Sequence, residues 1–469
     1  MGRSIVSKST DALRSSDLQD KDLDVTISNN QFQSPYIPNT EQNRKEMMST
    51  IDILSSDELF ADIPQEYRNP VLKLLPAVSE MELLRELGEM AAKNAVPGEY
   101  ACFLGAGSYH HFIPSAVRSL ASRSEFLTSY TPYQPEVSQG TLQVAYEFQS
   151  LIALLTEMDL ANAGMYDGAT ALAEGALMAC RITHRNQIVV LDTVSSRYRQ
   201  VLETYTRPQG IQVTVGSTDK IDLTDDTACL VVQYPNHLGY LEDLSSFEHL
   251  AHDAGALLVV SCSPIPLGIL RPPGAYGADI VTGECQPLGI PQSFGGPYLG
   301  FFTCKEQYLR QMPGRIVGRT TDTQGRIGYV LTLQTREQHI RRERATSNIC
   351  TSEALVALMA TVYLALVGKR GLNRLAEYCY HKAHYAASLI ADVPGYRLPL
   401  SGEFFHEFVV ECPTQPSVLN QRLLEEGILG GLDVSDLVPN GMLLCFTERN
   451  SREQIDRLVA VLSNAKVSR

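Results

Sequence analysis

Between residues 99 and 303 the chain alternates between two hydrophobic rhythms. Short continuous apolar runs (QIVVL, IQVTV, ACLVVQ, ALLVVS, ADIVTG and PYLGFFT) are rich in β-branched side chains. Runs of this kind predict strands buried on both faces. GTLQVAYEFQSLIALLTEM and GATALAEGALMACRI instead carry apolar positions at helical spacing. Buried strands separated by helices imply an α/β fold with a mainly parallel sheet covered on both sides. Beyond it, the pattern predicts long helices across Ser352 to Leu389, then strand FFHEFVVEC, a helix over Ser417 to Glu426, strand GMLLCFT and a helix over Arg452 to Leu462. That order describes a small C-terminal α/β domain of βαβα type.

The N-terminal end differs. Met1 to Ser34 is polar and without apolar periodicity, so it reads as a disordered tail. After Pro35, Thr40 stands as the N-cap of a short helix, and Ser79 with Glu82 forms a capping box for a second. The expected organisation is a tail over 1–34, a helical arm over 35–98, a large domain over 99–375 and a small domain over 376–469. No repeat of solenoid length is visible.

Composition narrows the class. Of 469 residues, 44% are hydrophobic and 20% charged, as in globular proteins. Lys plus Arg number 39 against 53 Asp plus Glu, a formal charge of −14 that repels phosphate backbones and argues against a nucleic-acid partner. The apolar stretch Ala354 to Val367 is interrupted by Thr361 and Tyr363 and stops at Gly368-Lys369-Arg370, short of the about 20 residues a bilayer needs. No membrane span is expected. The ten cysteines include no CxxC pair, the closest two being 19 positions apart, so they read as buried thiols of a reducing compartment. An acidic N-terminus without an apolar signal region points to a cytoplasmic location.

Most short motifs exclude rather than assign. Gly105-Ala106-Gly107 has His110 where a dinucleotide loop needs glycine, and no GxSxG serine elbow occurs. His249 with His252, and His381 with His384, lack a third ligand at useful spacing, so no metal site is expected. The informative stretch is Tyr166-Asp167-Gly168-Ala169-Thr170-Ala171, small residues opening onto a helix. Backbone N–H groups at such a helix start can cradle an anion, with Gly168, Ala169 and Thr170 as the cradle. Close packing explains small residues equally well, and both readings stand at this point.

Six longer segments, YIPNTE, FLGAGSYHHFIP, YTPYQPEVSQG, DGATALAEGALMA, LGIPQSFGGPYLGFF and LQTREQHIRRERATSNIC, resemble the glycine dehydrogenase (decarboxylating) P-protein family, in particular the first subunit of its two-subunit bacterial form. The resemblance runs from about Pro35 to the C-terminus. It implies the fold type I architecture of pyridoxal phosphate (PLP) transferases. It also implies a place in the glycine cleavage system: an oxidoreductase that decarboxylates glycine and passes the aminomethyl group to the lipoyl arm of the H-protein, a disulfide acceptor. PLP is the electron sink in such chemistry.

Against that family pattern two residues are missing. The Asp that ordinarily holds the pyridine nitrogen protonated corresponds to Ser261, at the end of ALLVVS. Where the Schiff-base lysine ordinarily follows ADIVTG, the chain continues Glu284-Cys285-Gln286-Pro287-Leu288, and no lysine lies between Lys220 and Lys305. Lys305 reads as a solvated residue opening a helix. The resemblance therefore implies a non-catalytic half, with the covalent cofactor on subunit 2. Tyr109, His110, Tyr130, Tyr133 and Glu136, in Pro- and Gly-rich segments, are the candidates for completing the partner's site across an interface. Arg336, Arg341, Arg342 and Arg344 would face an acidic partner, cap a carboxylate or form a solvated basic face. The alternative is a purely structural or regulatory partner of subunit 2; an autonomous PLP aminotransferase or desulfurase is disfavoured by the missing lysine.

Overall fold

The computed structural model describes residues 39–464 apart from 69, 72, 75–77 and 351, so the tail expected over 1–34 lies outside the described residues. The chain divides into two units, Met1–Glu89 and Met90–Arg469. In the first, helix Glu41–Thr50 is capped by Thr40, whose Oγ1 accepts from the Asn43 N–H at 3.1 Å. Helix Glu80–Ala91 starts on the expected capping box. The Ser79 N–H donates to Glu82 Oε2 at 2.9 Å, and the Glu82 N–H donates to Ser79 Oγ at 3.3 Å.

In the second unit the strands are β1 (Ala101–Cys102), β2 (Leu160–Ala161), β3 (Gln187–Leu191), β4 (Gln212–Gly216) and β5 (Thr227–Tyr234). They continue with β6 (Leu257–Cys262), β7 (Ile280–Glu284), β8 (Gly300–Cys304), β9 (Ile316–Thr321) and β10 (Ile327–Thr332). The last four are β11 (Glu407–Glu411), β12 (Ile428–Leu429), β13 (Leu432–Asp433) and β14 (Gly441–Cys445). Seven form one sheet in the order β2-β8-β7-β6-β5-β3-β4. From β4 to β7 every pairing is parallel, and β8 and β2 close the edge antiparallel. Helix Gly168–Thr183 lies against the sheet through Ala171, Leu172, Ala176 and Ala179, all fully buried. All the expected strands are present. The β9–β10 hairpin was not anticipated: its residues are mostly half-buried or exposed and carry no strong alternation.

A second core gathers around β11, β14 and β13, an antiparallel sheet. It does not begin at residue 376. β1 pairs in parallel with β12, and Ala101 and Phe103 pack in this core with Phe408, Leu444 and Phe446. Helix Ala354–Ala391 serves both cores, with Val356, Ala360 and Tyr363 in the first and Ala383, Ala386 and Ile390 in the second. Within the part that serves the first core, which runs on to Cys379, Gly368 (φ 58°, ψ −177°) breaks the helical backbone, a conformation nearly confined to glycine. This helix is long and apolar enough by composition for a membrane span, and many of its apolar residues pack into the two cores while Leu355 and Leu366 are exposed.

Candidate functional site

The carboxyl ends of parallel strands carry the ligand crevice in open α/β sheets. Here the ends of β5, β6 and β7 bring Gln233, Ser261, Cys262 and Glu284 to one cleft, with Tyr198 over them and Tyr109, His406 and Glu407 closing it from the second core. The cavity they leave is about 40 Å³. That is room for about three or four waters at about 10–15 Å³ each.

Glu284 fills the most consequential position. Its Oε2 accepts from the Gly168 N–H at 2.9 Å, and its Oε1 accepts from the N–H groups of Gln286 and Leu299, both at 3.0 Å. Asp167 caps the same helix, accepting from the Thr170 N–H at 2.8 Å, and Thr170 Oγ1 accepts from the Asp167 N–H in return. The helix start expected as an anion cradle over Gly168, Ala169 and Thr170 thus already holds two carboxylates of its own chain. A Cβ added at Gly168 would lie 2.5 Å from the Tyr198 hydroxyl and 3.0 Å from Glu284 Cβ, so only glycine fits. Burial pushes Glu284 up to about 7, against the pull of its three N–H donors. The same carboxylate raises the Tyr198 phenol, after burial itself.

A second buried carboxylate, on β11, holds the loop that follows β1. Glu407 Oε1 accepts from the Ala106 N–H at 2.6 Å, and its Oε2 accepts from the Tyr109 hydroxyl at 2.8 Å. Burial pushes Glu407 up to about 7 and Tyr109 well above its ordinary value. Tyr109, expected to reach across an interface, is instead buried with its hydroxyl committed inside the chain, and its N–H donates to Gln286. His406, down to about 3 through burial and the neighbouring His111, packs against the Tyr109 ring at 4.7 Å. His110 is half-buried and gives its carbonyl to Thr447 Oγ1. The Gly105-Ala106-Gly107 loop therefore serves Glu407. A Cβ on Gly105 would collide with Glu407 Oε1.

The other loop faces outward. Tyr130 is 81% exposed and Glu136 is exposed; Tyr133 is partly covered by the Arg315 guanidinium, 5.5 Å from its ring centre. Beside Tyr130 runs a largely apolar groove of about 250 Å³, lined by Phe126, Leu127, Pro132, Val144, Leu355 and Leu358 among others.

Two expectations change, those for Lys305 and for the arginines. Lys305 is not simply solvated: its Nζ donates to Asp279 Oδ1 at 2.6 Å and to the Gly277 carbonyl. Since β8 is antiparallel to β7, it sits at the opposite end of the sheet from Glu284. His252 bridges Glu248 and Asp279, a satisfied pair of contacts. Arg336 is buried and donates to the carbonyls of Met312, Gly314 and Leu333, whereas Arg341, Arg342 and Arg344 are exposed on short separate turns, so the four share no helix face. Among the described residues, His111, Cys379 and Glu448 are grouped closely enough to hold a metal, and they already bond to one another: His111 Nδ1 to Glu448 at 2.7 Å, Cys379 Sγ to the same oxygen at 3.7 Å. All ten cysteines are free, and eight are buried.

PLP does not fit this cleft. Among the described residues no lysine lines it, buried Ser261 offers no charge to a pyridine nitrogen, Pro287 occupies a buried turn after β7, and the cradle is held by Glu284. The carboxylate also repels a phosphate.

Comparison with known proteins gives the wider frame. Residues 34–462 match the family model for the glycine cleavage system P-protein. A protein of Thermomicrobium roseum named "Probable glycine dehydrogenase (decarboxylating) subunit 1" is 55% identical over 444 residues, 92% of this chain and 99% of its own. The crystal structure of an inhibitor-bound glycine decarboxylase (P-protein) superimposes with a TM-score of 0.87 at 43% identity, covering 92% of this chain and 99% of that one. A sphingosine-1-phosphate lyase of Burkholderia pseudomallei, 16% identical, shares the fold at a TM-score of 0.60 over 86% of this chain and 94% of its own. The architecture is that of the PLP-dependent fold type I proteins. By model, relatives and structure alike, the chain belongs to the glycine cleavage system P-protein family.

Proposed function

We propose that this chain is the subunit of a two-subunit glycine decarboxylase that does not anchor PLP, working in the cytoplasm as a heteromer with subunit 2. The observation that carries this reading is Glu284 on the Gly168 N–H, in a cleft lined by no lysine. Family membership supplies the reaction: glycine is decarboxylated and its aminomethyl group goes to the lipoyl arm of the H-protein. Bound to subunit 2, PLP supplies the electron sink. This chain's contribution is then positional. The exposed loop with Tyr130, Tyr133 and Glu136, beside an apolar groove, has the aromatic content of a protein interface. Among the described residues the Tyr130 hydroxyl has no partner, and it is exposed to donate to a group fixed in the partner's site, where such donors act chiefly in the transition state.

Co-expression tests it. Glycine–bicarbonate exchange is expected only from the two chains together, and Tyr130→Phe is expected to lower turnover about ten-fold, about 1.4 kcal/mol, in a complex of unchanged size. Full exchange by subunit 2 alone overturns the proposal. Full activity of the Tyr130→Phe complex favours the second reading, a purely structural partner, which the inward bonding of Tyr109 also supports.

A further inference from the structure

Anion cradles at helix starts attract charge because several N–H groups converge without partners. In this chain the convergence is present and the charge is built in. Glu284 ends the otherwise uncharged strand β7, is 9% exposed, and takes N–H donors from three separate segments: the helix start at Gly168, the turn at Gln286 and the strand approach at Leu299. Around it lie polar groups with no other obvious task. The Tyr198 hydroxyl stands over Gly168, the Ser263 hydroxyl lines the cavity without a partner, and His406, 3% exposed, lines it with an unpartnered Nδ1. The donors of an anion site are thus assembled around a carboxylate of the same chain.

We propose that Glu284 is a resident carboxylate standing in for a ligand phosphate, and that it keeps the Gly168, Gln286 and Leu299 donors from an anion that would bind beside the Asp167 cap. Two consequences follow from the geometry. With Glu284 in place, a phosphate meets like charge and no free N–H at Gly168, so this cleft does not take up phosphorylated ligands. With the side chain cut back to alanine, the Gly168, Gln286 and Leu299 donors face a space enlarged by the lost carboxyl arm and continuous with the neighbouring cavity. Inorganic phosphate then satisfies the donors that the carboxylate satisfied.

The proposal goes beyond the functional reading, on which it rests only in taking this chain as the half that does not hold PLP. Its test uses the full chain, with inorganic phosphate as the probe and chloride at matched ionic strength as the control. Thermal unfolding and titration calorimetry are expected to show saturable, single-site phosphate binding by Glu284→Ala, with a rising unfolding midpoint, and none by the unsubstituted chain. Glu284→Gln, which keeps the volume and still fills the cradle, is expected to gain no phosphate response. Should Glu284→Ala fail to fold in chloride, phosphate in the refolding buffer is expected to restore it. A folded Glu284→Ala variant indifferent to phosphate, or an unfolded one that phosphate does not rescue, overturns the proposal and leaves the functional reading standing. Phosphate or PLP binding in this cleft by the unsubstituted chain overturns both.

Discussion

At the scale of single residues, the cleft is defined by carboxylates whose partners are far away in sequence. Glu407 meets Ala106 and Tyr109, about 300 positions earlier, and Glu284 meets Gly168 across 116. The sequence displayed each as a charge inside or ending an apolar run, in FFHEFVVEC and ADIVTGE, but not what it touched. Tyr109 looked like an interface tyrosine for the same reason: nothing local announces that its hydroxyl is taken. Removing that donor leaves a buried carboxylate short of a bond, so Tyr109→Phe is expected to lower stability by about 1–3 kcal/mol in urea unfolding. Glu407 also sets a pH dependence of definite sign. Its folded-state pKa, about 7, lies above its ordinary 4.5, so the folded chain holds this proton more tightly than the unfolded one. The stability it confers is present in full below about 4.5 and declines as pH rises to about 7, by roughly 3 kcal/mol in all. Glu407→Gln can still accept from Ala106 and donate to the Tyr109 oxygen. Between pH 4.5 and 7.5 the unsubstituted chain is expected to lose stability relative to this variant, and parallel curves would refute the assignment. His406, held down to about 3, works in the opposite direction in both proteins and cancels in the comparison.

Elements were far more legible than sites. The parallel strands show as uninterrupted apolar runs because β3, β5, β6 and β7 are buried along nearly their whole length, and a strand covered on both faces has no polar side to blur the signal. β1 and β12 are two residues each, too short to carry any periodicity, and with them went the fact that the chain returns to residue 101 to complete its second core. The long helix Ala354–Ala391 supplies both cores and passes from the first to the second between Cys379 and Ala383, a few residues after the boundary expected near 376. The break in its backbone lies earlier, at Gly368. No atom stands within 4 Å of a Cβ built there, so a substitution meets only backbone strain. Gly368→Ala is therefore expected to cost about 1–3 kcal/mol in thermal or urea unfolding. An unchanged midpoint would mean that the helix tolerates a different junction.

For the whole molecule, the P-protein fold is kept around a cleft that PLP does not fit. Ser261 and Glu284 line the cleft, Pro287 lies in the buried turn after β7, the nearest downstream lysine, Lys305, is tied to Asp279 at the far end of the sheet, and the remaining cavity is about 40 Å³. Six long segments make the family legible in the sequence, whereas the closure of the cradle by the chain's own carboxylate depends on contacts that only the folded chain brings together. If the account is right, the chain works by what it presents to subunit 2. Heteromer assembly is expected to depend on the Tyr130 face, so that Tyr130→Asp with Leu127→Asp, a pair of exposed residues beside the apolar groove, weakens co-purification without unfolding the chain. The most direct test of the central claim is borohydride reduction of the co-expressed complex, followed by peptide mass spectrometry of each subunit. The account predicts a reduced pyridoxyl–lysine adduct on subunit 2 and none on this chain; a stoichiometric adduct on any lysine of this chain would contradict it.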